Sequence, residues 1–158
     1  MSYRLEEATA QLGALRIRIA ACSALALLLA SLIVPMYFDD GESDSADLTL
    51  GGLAGQAADL GDGAIQTLAV VAVVSLILTM LLTLASIFEE DRRLAWGQGA
   101  AAGLLLVVWI VLMVAVDNSE GGGVFDGTGL HSTLRTALVP AGALVSLLAL
   151  RVARQVRD

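Results

Sequence analysis

The best candidate for metal chemistry in this sequence is an acidic run. The stretch DDGESDSAD, residues 39–47, alternates carboxylates with small residues. Hard divalent cations prefer such oxygen ligands, but an EF-hand loop requires fixed ligand positions and a bidentate glutamate at its end. The spacing here does not match that pattern. We therefore predict a solvated acidic segment and no metal site, and keep divalent-cation binding as the less favoured alternative.

Residues suited to nucleophilic or acid–base catalysis are sparse. His131 is the only histidine and precedes Ser132, and Cys22 is the only cysteine. Hydrolytic chemistry needs a histidine beside a positioned nucleophile, and a catalytic zinc needs three protein ligands. We interpret His131 as a loop or helix-cap residue and Cys22 as a small buried side chain. The sequence predicts neither an enzyme nor a bound cofactor.

Small hydroxyl side chains form a stripe within an uncharged stretch, residues 63–88. Ser75, Thr79 and Thr83 lie four residues apart and therefore share one face of a helix. In a membrane, such hydroxyls bond to their own helix carbonyls or across a helix contact more often than they line a pore. We predict a helix-packing seam, and a pore lining is the alternative.

Two glycines in the run GQGAAAG have the spacing of a close helix contact. Gly99 and Gly103 are separated by three alanines. Small residues at this spacing allow a second helix backbone to approach closely. We predict that both glycines are helix-packing residues.

Arg135 is the most unusual cation of the sequence. The uncharged stretch between Arg135 and Arg151 is residues 136–150. As a helix it would be about 22 Å long, shorter than the roughly 30 Å hydrocarbon core of a bilayer. A helix that begins near His131 would be long enough but would contain Arg135 near its outer end. We predict that this side chain contacts lipid headgroups or an outer-loop carboxylate.

Four apolar stretches would position these side chains. The 158 residues are 57% hydrophobic and 16% charged, too apolar for a soluble domain of this size. The sequence therefore predicts an all-α membrane protein, a four-transmembrane-helix bundle with an N-terminal amphipathic extension. The predicted spans are residues 19–38, 63–88, 96–116 and 131–150.

The segments outside the predicted bundle differ in character. Residues 39–62 and 117–131 are predicted loops, and the middle of the first, LTLGGLAGQAA, is apolar enough to fold back on the membrane or on a neighbouring protein. Residues 151–158 form a basic tail. In residues 1–18 an apolar seam could lie on the membrane surface, extend the first span or bind a partner helix. The seam consists of Leu5, Ala8, Leu12, Leu15 and Ile19.

Charge distribution predicts orientation and location. All nine basic residues are arginines, and eight of them flank the spans on one side, which predicts that both termini are cytoplasmic and both acidic loops are outside. The net charge of −7 argues against nucleic-acid binding. The absence of lysine, with abundant Ala, Leu, Val and Gly, resembles proteins of high-GC bacteria such as actinobacteria. We expect a multi-pass protein of a bacterial plasma membrane.

The predicted spans lack an ionisable residue at mid-depth, where proton-coupled transporters and pumps place one. We therefore expect a non-catalytic small integral membrane subunit that packs against or stabilises a larger bacterial plasma-membrane complex, such as a respiratory or transport assembly. Its partners would be other integral membrane subunits and membrane lipids, and self-association stays open. The alternative is a small homo-oligomeric channel or transporter that uses the Ser75, Thr79 and Thr83 face.

Overall fold

Five α-helices and a two-stranded ribbon form the described part of the computed structural model. The description covers residues 2–35, 37–39, 49–59, 63–88, 92–120, 130–132 and 134–155. The helices are α1 Ser2–Ile33, α2 Leu50–Asp59, α3 Gly63–Phe88, α4 Arg92–Glu120 and α5 Leu138–Gln155, with a 3₁₀ turn Leu134–Ala137 before α5. The antiparallel strands are β1 Tyr37–Asp39 and β2 Leu130–Ser132.

Within the described residues, three helices contain stretches that are long and apolar enough to cross a membrane. These stretches are Gln11–Ile33, Gly63–Phe88 and Arg93–Val116. An uninterrupted apolar run can enter a bilayer only if its backbone satisfies its own hydrogen bonds, and a helix does so. The predicted helical class is confirmed for the described residues. The apolar part of α5 is shorter, Leu138–Arg151.

The first span and the N-terminal extension form one continuous helix, α1. The prediction of a span that reaches residue 38 was wrong, because helical structure ends at Ile33 and residues 37–39 form β1. Pro35 explains the end, since a proline disfavours helical geometry in the residue before it. The last helical bond runs from the Val34 N–H to the Ala30 carbonyl, at 2.8 Å. Cys22 of α1 is exposed, so the prediction of a buried cysteine was wrong.

The predicted first loop contains a helix, α2, which was not predicted. Thr49 caps it, because the Gly52 N–H donates to Thr49 Oγ1 at 3.2 Å. Leu50, Leu53 and Ala57 are fully buried, and the helix packs mainly on α3. The apolar residues of this segment therefore pack against α3 of the same chain, whereas the sequence predicted packing on the membrane or on a neighbouring protein.

Replacing Thr49 with alanine is expected to weaken α2 by about 1 kcal/mol, because the Gly52 N–H loses its acceptor. Hydrogen exchange of the α2 amides should accelerate roughly fivefold, while the α3 amides stay protected. A Thr49→Ser variant keeps the hydroxyl and should exchange like the wild type. Equal exchange in the alanine and serine variants would contradict the cap.

The last helix begins later than predicted. Helical backbone starts with the 3₁₀ turn at Leu134 and continues as α5 from Leu138, whereas His131 lies in β2 opposite Phe38. The prediction of a span that starts at residue 131, and of His131 as a loop or helix-cap residue, was therefore wrong. Pro140 is the third residue of α5, where its missing N–H removes no helical bond.

The helices share one apolar core with small residues inside. Helix α1 packs on α5, α3 packs on α4 and α2, and α4 packs on α5. The inward face of α3 carries Ala69 and Ala72, while its outward face carries Val74, Ile77 and Leu81. Small residues between helices and large aliphatic residues outside are the arrangement expected of helices in lipid.

Candidate functional site

The hydroxyl stripe of α3 faces the interior of the bundle. Ser75 is 3% exposed, and Thr79 and Thr83 are fully buried. Their four-residue spacing puts them on the same face as Ala72 and Leu76, which both belong to the apolar core. The tertiary fold therefore encloses all three side chains between helices of the same chain.

Several span hydroxyls bond to carbonyl groups of their own helix. Thr79 Oγ1 donates to the Ser75 carbonyl at 2.7 Å. On α1, Ser31 Oγ donates to the Leu28 carbonyl at 2.7 Å, and Ser23 Oγ to the Ile19 carbonyl at 2.9 Å. Such bonds satisfy a hydroxyl in an apolar environment without a partner helix.

Three other polar side chains bond across helices. The Ser146 Oγ of α5 lies 2.9 Å from Thr83 Oγ1 of α3. Gln98 Nε2 of α4 donates to the same Ser146 Oγ at 2.9 Å and to the Ser146 carbonyl at 3.3 Å. Gln98 is 2% exposed and Ser146 is fully buried. We call Thr83, Gln98 and Ser146 the polar junction.

The chemistry of the polar junction is structural. Its three groups are two hydroxyls and an amide, which do not titrate near neutral pH and include no base to activate a nucleophile. In a low-dielectric interior, leaving such groups unpaired is unfavourable, so their mutual bonds favour one arrangement of α3, α4 and α5. The junction can therefore hold three helices in register.

Helical spacing predicted Thr83 as a packing residue, but it did not predict that Thr83 would meet Gln98 and Ser146. These two are the buried polar side chains on α4 and α5 that lie in otherwise apolar surroundings. An isolated polar residue in an apolar helix is a usable signal, because it must find a hydrogen-bond partner within the bundle. Sequence alone could not show which partner it finds.

The glycines differ in how closely other helices approach them. A Cβ on Gly99 would lie 3.1 Å from Leu150 Cδ2, whereas one on Gly103 would meet nothing within 4 Å. A Cβ on Gly142 would lie 2.8 Å from Leu28 Cδ2 and 3.2 Å from the Leu28 backbone nitrogen. The tightest of these contacts thus joins α5 to α1. Gly142 and Ser146 are two small residues four positions apart, and this spacing could have predicted the close helix contact.

Comparison with protein families, curated proteins and solved structures gives no match for this chain. Its function must therefore be argued from its own residues, because helical bundle architecture alone does not specify a function.

Two predicted features fall outside the described residues. The acidic residues 40–47 are among them, so divalent-cation binding there is untested. The backbone of Arg135 lies in the 3₁₀ turn. Its side chain is not among those described, so the predicted contact with lipid or a carboxylate stays a prediction. Among the described residues, no group of three His, Cys, Asp or Glu side chains is arranged to hold a metal ion.

Proposed function

We propose that this chain is a four-span structural subunit of a bacterial plasma membrane, with both termini cytoplasmic, and that it packs against other integral membrane subunits of a larger respiratory or transport assembly. One observation carries the proposal: the hydroxyl stripe lies between the chain's own helices, where Thr79 and Thr83 form internal hydrogen bonds. Buried and bonded hydroxyls serve helix packing.

The pairing of α1 with α5 supports a fourth span. Leu28 meets Gly142, and further out Tyr37 pairs with Ser132, so the two segments run antiparallel side by side. Counting from these contacts, Arg151 is level with residue 19 of α1. The 3₁₀ turn and α5 together extend about 29 Å from Leu134 to Arg151. That length is close to the roughly 30 Å of a hydrocarbon core.

The arginines support the orientation. Arg18 on α1 and Arg151 on α5 lie at the same end of the antiparallel pair and are exposed. Arg93, near the start of α4, is also exposed and follows the connection from α3. Arginines beside spans accumulate on the cytoplasmic side. We therefore propose that this end of the bundle, and with it both termini, is cytoplasmic.

The outer surface of α3 and α4 supports association within the membrane. Large aliphatic side chains cover it, in keeping with contact to lipid or to the apolar spans of other subunits. They include Val70, Val74, Ile77, Leu81, Leu104, Val107, Ile110 and Val114.

Purification at native abundance tests the proposal. A tagged chromosomal copy, extracted in a gentle detergent, is expected to carry other integral membrane proteins in fixed stoichiometry, and an untagged strain provides the background. Deletion of the chain should lower the abundance of those partners, because subunits that lose a packing surface are degraded faster. Recovery of the chain with no stoichiometric heterologous subunit would contradict the proposed role.

Ion flux tests the channel alternative. Vesicles that contain only the purified chain are expected to release K⁺ no faster than protein-free vesicles, because the stripe hydroxyls are buried and bonded. A Thr79→Val variant is nearly isosteric and should behave identically. Flux in the wild type that the Thr79→Val and Thr83→Val substitutions abolish would favour a homo-oligomeric channel instead.

A further inference from the structure

The contacts between the helices place their cytoplasmic ends at one level. Ser146 meets both Thr83 and Gln98, and Leu28 meets Gly142. Counting from these contacts toward the cytoplasmic end gives one residue of each long helix at the same depth. We call this depth the inner level, and its four residues are Ile19, Phe88, Arg93 and Arg151.

The hydrocarbon layer does not extend farther inward than the inner level. Arg93 and Arg151 lie at this level, and Arg18 is next to it on α1. All three side chains are exposed on the surface of the bundle. Charged side chains that face lipid are costly inside hydrocarbon. The hydrocarbon layer therefore begins at the inner level.

From the inner level, the apolar helices extend outward to different heights. Helix α1 ends at Ile33 and the apolar part of α5 begins at Leu138, so both rise about 20 Å. Helix α3 begins at Gly63 and the apolar part of α4 ends at Val116, so these two rise about 35–38 Å. Because α1 packs on α5 and α3 packs on α4, the bundle has a short side, α1 and α5, and a long side, α3 and α4.

Polar backbone lies directly beyond the short side. The ribbon of β1 and β2 follows α1 and precedes the 3₁₀ turn, which contains Arg135 and Thr136. Each strand of a two-stranded ribbon has one edge that the other strand does not pair, and among the described elements neither strand packs closely on a helix. Open strand edges do not occur in contact with hydrocarbon. This favours a hydrocarbon layer that ends below the ribbon on the short side.

Helix α2 does not extend the large apolar surface of the short side. It packs mainly on α3, and the exposed residues among its described side chains are Gly51, Gly55 and Ala58. Glycine and alanine present little apolar surface to lipid. In contrast, Val70 of α3 and Val114 of α4 are exposed aliphatic side chains beyond the height at which α1 ends. Large lipid-facing side chains therefore continue outward on the long side.

We propose, resting on the four-span topology proposed above, that the short side binds a locally thinned bilayer, in which outer-leaflet headgroups and water reach the end of α1. A bilayer accommodates a short apolar span by thinning around it. The hydrocarbon layer falls from roughly 30 Å beside the long side to about 20 Å beside the short side. The chain thus deforms the outer leaflet on one side only.

Two cysteine variants at equal height test the thinning. Ile33 on α1 and Val74 on α3 both lie about 21 Å above the inner level, and they are 64% and 59% exposed. Each is replaced with cysteine in a Cys22→Ala background. The full chain is reconstituted in dioleoyl phosphatidylcholine vesicles, with a charged maleimide on both sides of the membrane. Ile33→Cys should react roughly tenfold faster than Val74→Cys, because a thiol must meet water to form the reactive thiolate.

A thinner lipid and a deeper cysteine are the controls. In dimyristoleoyl phosphatidylcholine the headgroups lie closer to both positions, so Val74→Cys should react nearly as fast as Ile33→Cys. Ala26 of α1 is exposed and lies nearer the middle of the membrane, so Ala26→Cys should stay unreactive in both lipids.

Two results would overturn the thinning and leave the four-span topology standing, provided that Ala26→Cys stays protected. One is an equal rate for Ile33→Cys and Val74→Cys in the dioleoyl lipid. The other is a tenfold difference that persists in the dimyristoleoyl lipid, since it would not arise from bilayer thickness. Reaction of Ala26→Cys would overturn the topology and the thinning together. The role as a subunit is judged separately, by co-purification, because these vesicles contain the isolated chain.

Discussion

Replacing Gly142 with alanine is expected to destabilise the protein by about 1–3 kcal/mol relative to the same replacement at Gly103, where the added methyl group meets no neighbour. The new Cβ would lie 2.8 Å and 2.9 Å from Leu28 Cδ2 and Cγ, and 3.2 Å from the Leu28 backbone nitrogen. The leucine side chain is itself fully buried, and the backbone nitrogen moves only if α1 moves. The substitution must therefore push α1 and α5 apart where Gly142 meets Leu28.

The Gly103→Ala variant is the matched control for Gly142. Gly103 also lies within a helix, but a Cβ there meets nothing within 4 Å. Both variants gain about 0.5–1 kcal/mol of helix propensity, so this gain cancels in their difference. Thermal unfolding in detergent, followed by the fluorescence of the two tryptophans, measures the difference. Equal midpoints for the two variants would contradict the α1–α5 contact.

Replacing Ser146 with alanine is expected to lower stability by about 1–2 kcal/mol, because it leaves the Gln98 amide and the Thr83 hydroxyl without the hydroxyl that joins them. Ser146 is fully buried, so bulk water cannot replace the lost group. Ser23→Ala is the control, since the Ser23 hydroxyl is exposed and bonds only to the Ile19 carbonyl of its own helix. It should change stability by less than about 0.5 kcal/mol.

A double-mutant cycle tests whether the polar junction acts as a unit. Gln98→Leu removes the amide, and in that background Ser146→Ala should be less harmful by about 0.5 kcal/mol or more, because no buried amide remains to lose its bond to the Ser146 hydroxyl. Reversible unfolding in mixed micelles gives the four free energies of unfolding. Additive losses from the two substitutions would show that Gln98 and Ser146 are not energetically coupled.

The sequence was sufficient to predict the helical class and the three long apolar helices. The clearest case is α3, which occupies residues 63–88 as predicted. An apolar run must satisfy its backbone hydrogen bonds internally, so its length and composition determine its secondary structure. The ends of α1 and α5 were less accurate, because Pro35 and the pairing of Phe38 with His131 compete with helix formation. The end of the third span was also wrong, because α4 continues through residues 117–120, which were predicted to be loop.

The sequence also contained the hydroxyl stripe, since Ser75, Thr79 and Thr83 share a helix face by spacing alone. It could not show that Thr83 meets Ser146, that Gln98 joins them, or that Gly142 rather than Gly103 receives a closely packed neighbour. The physical reason is that nearly every residue of a membrane helix is apolar, so periodicity does not distinguish the buried face from the lipid face. Composition determined which segments form helices long and apolar enough to cross a membrane, and only tertiary packing decided which of their faces meet.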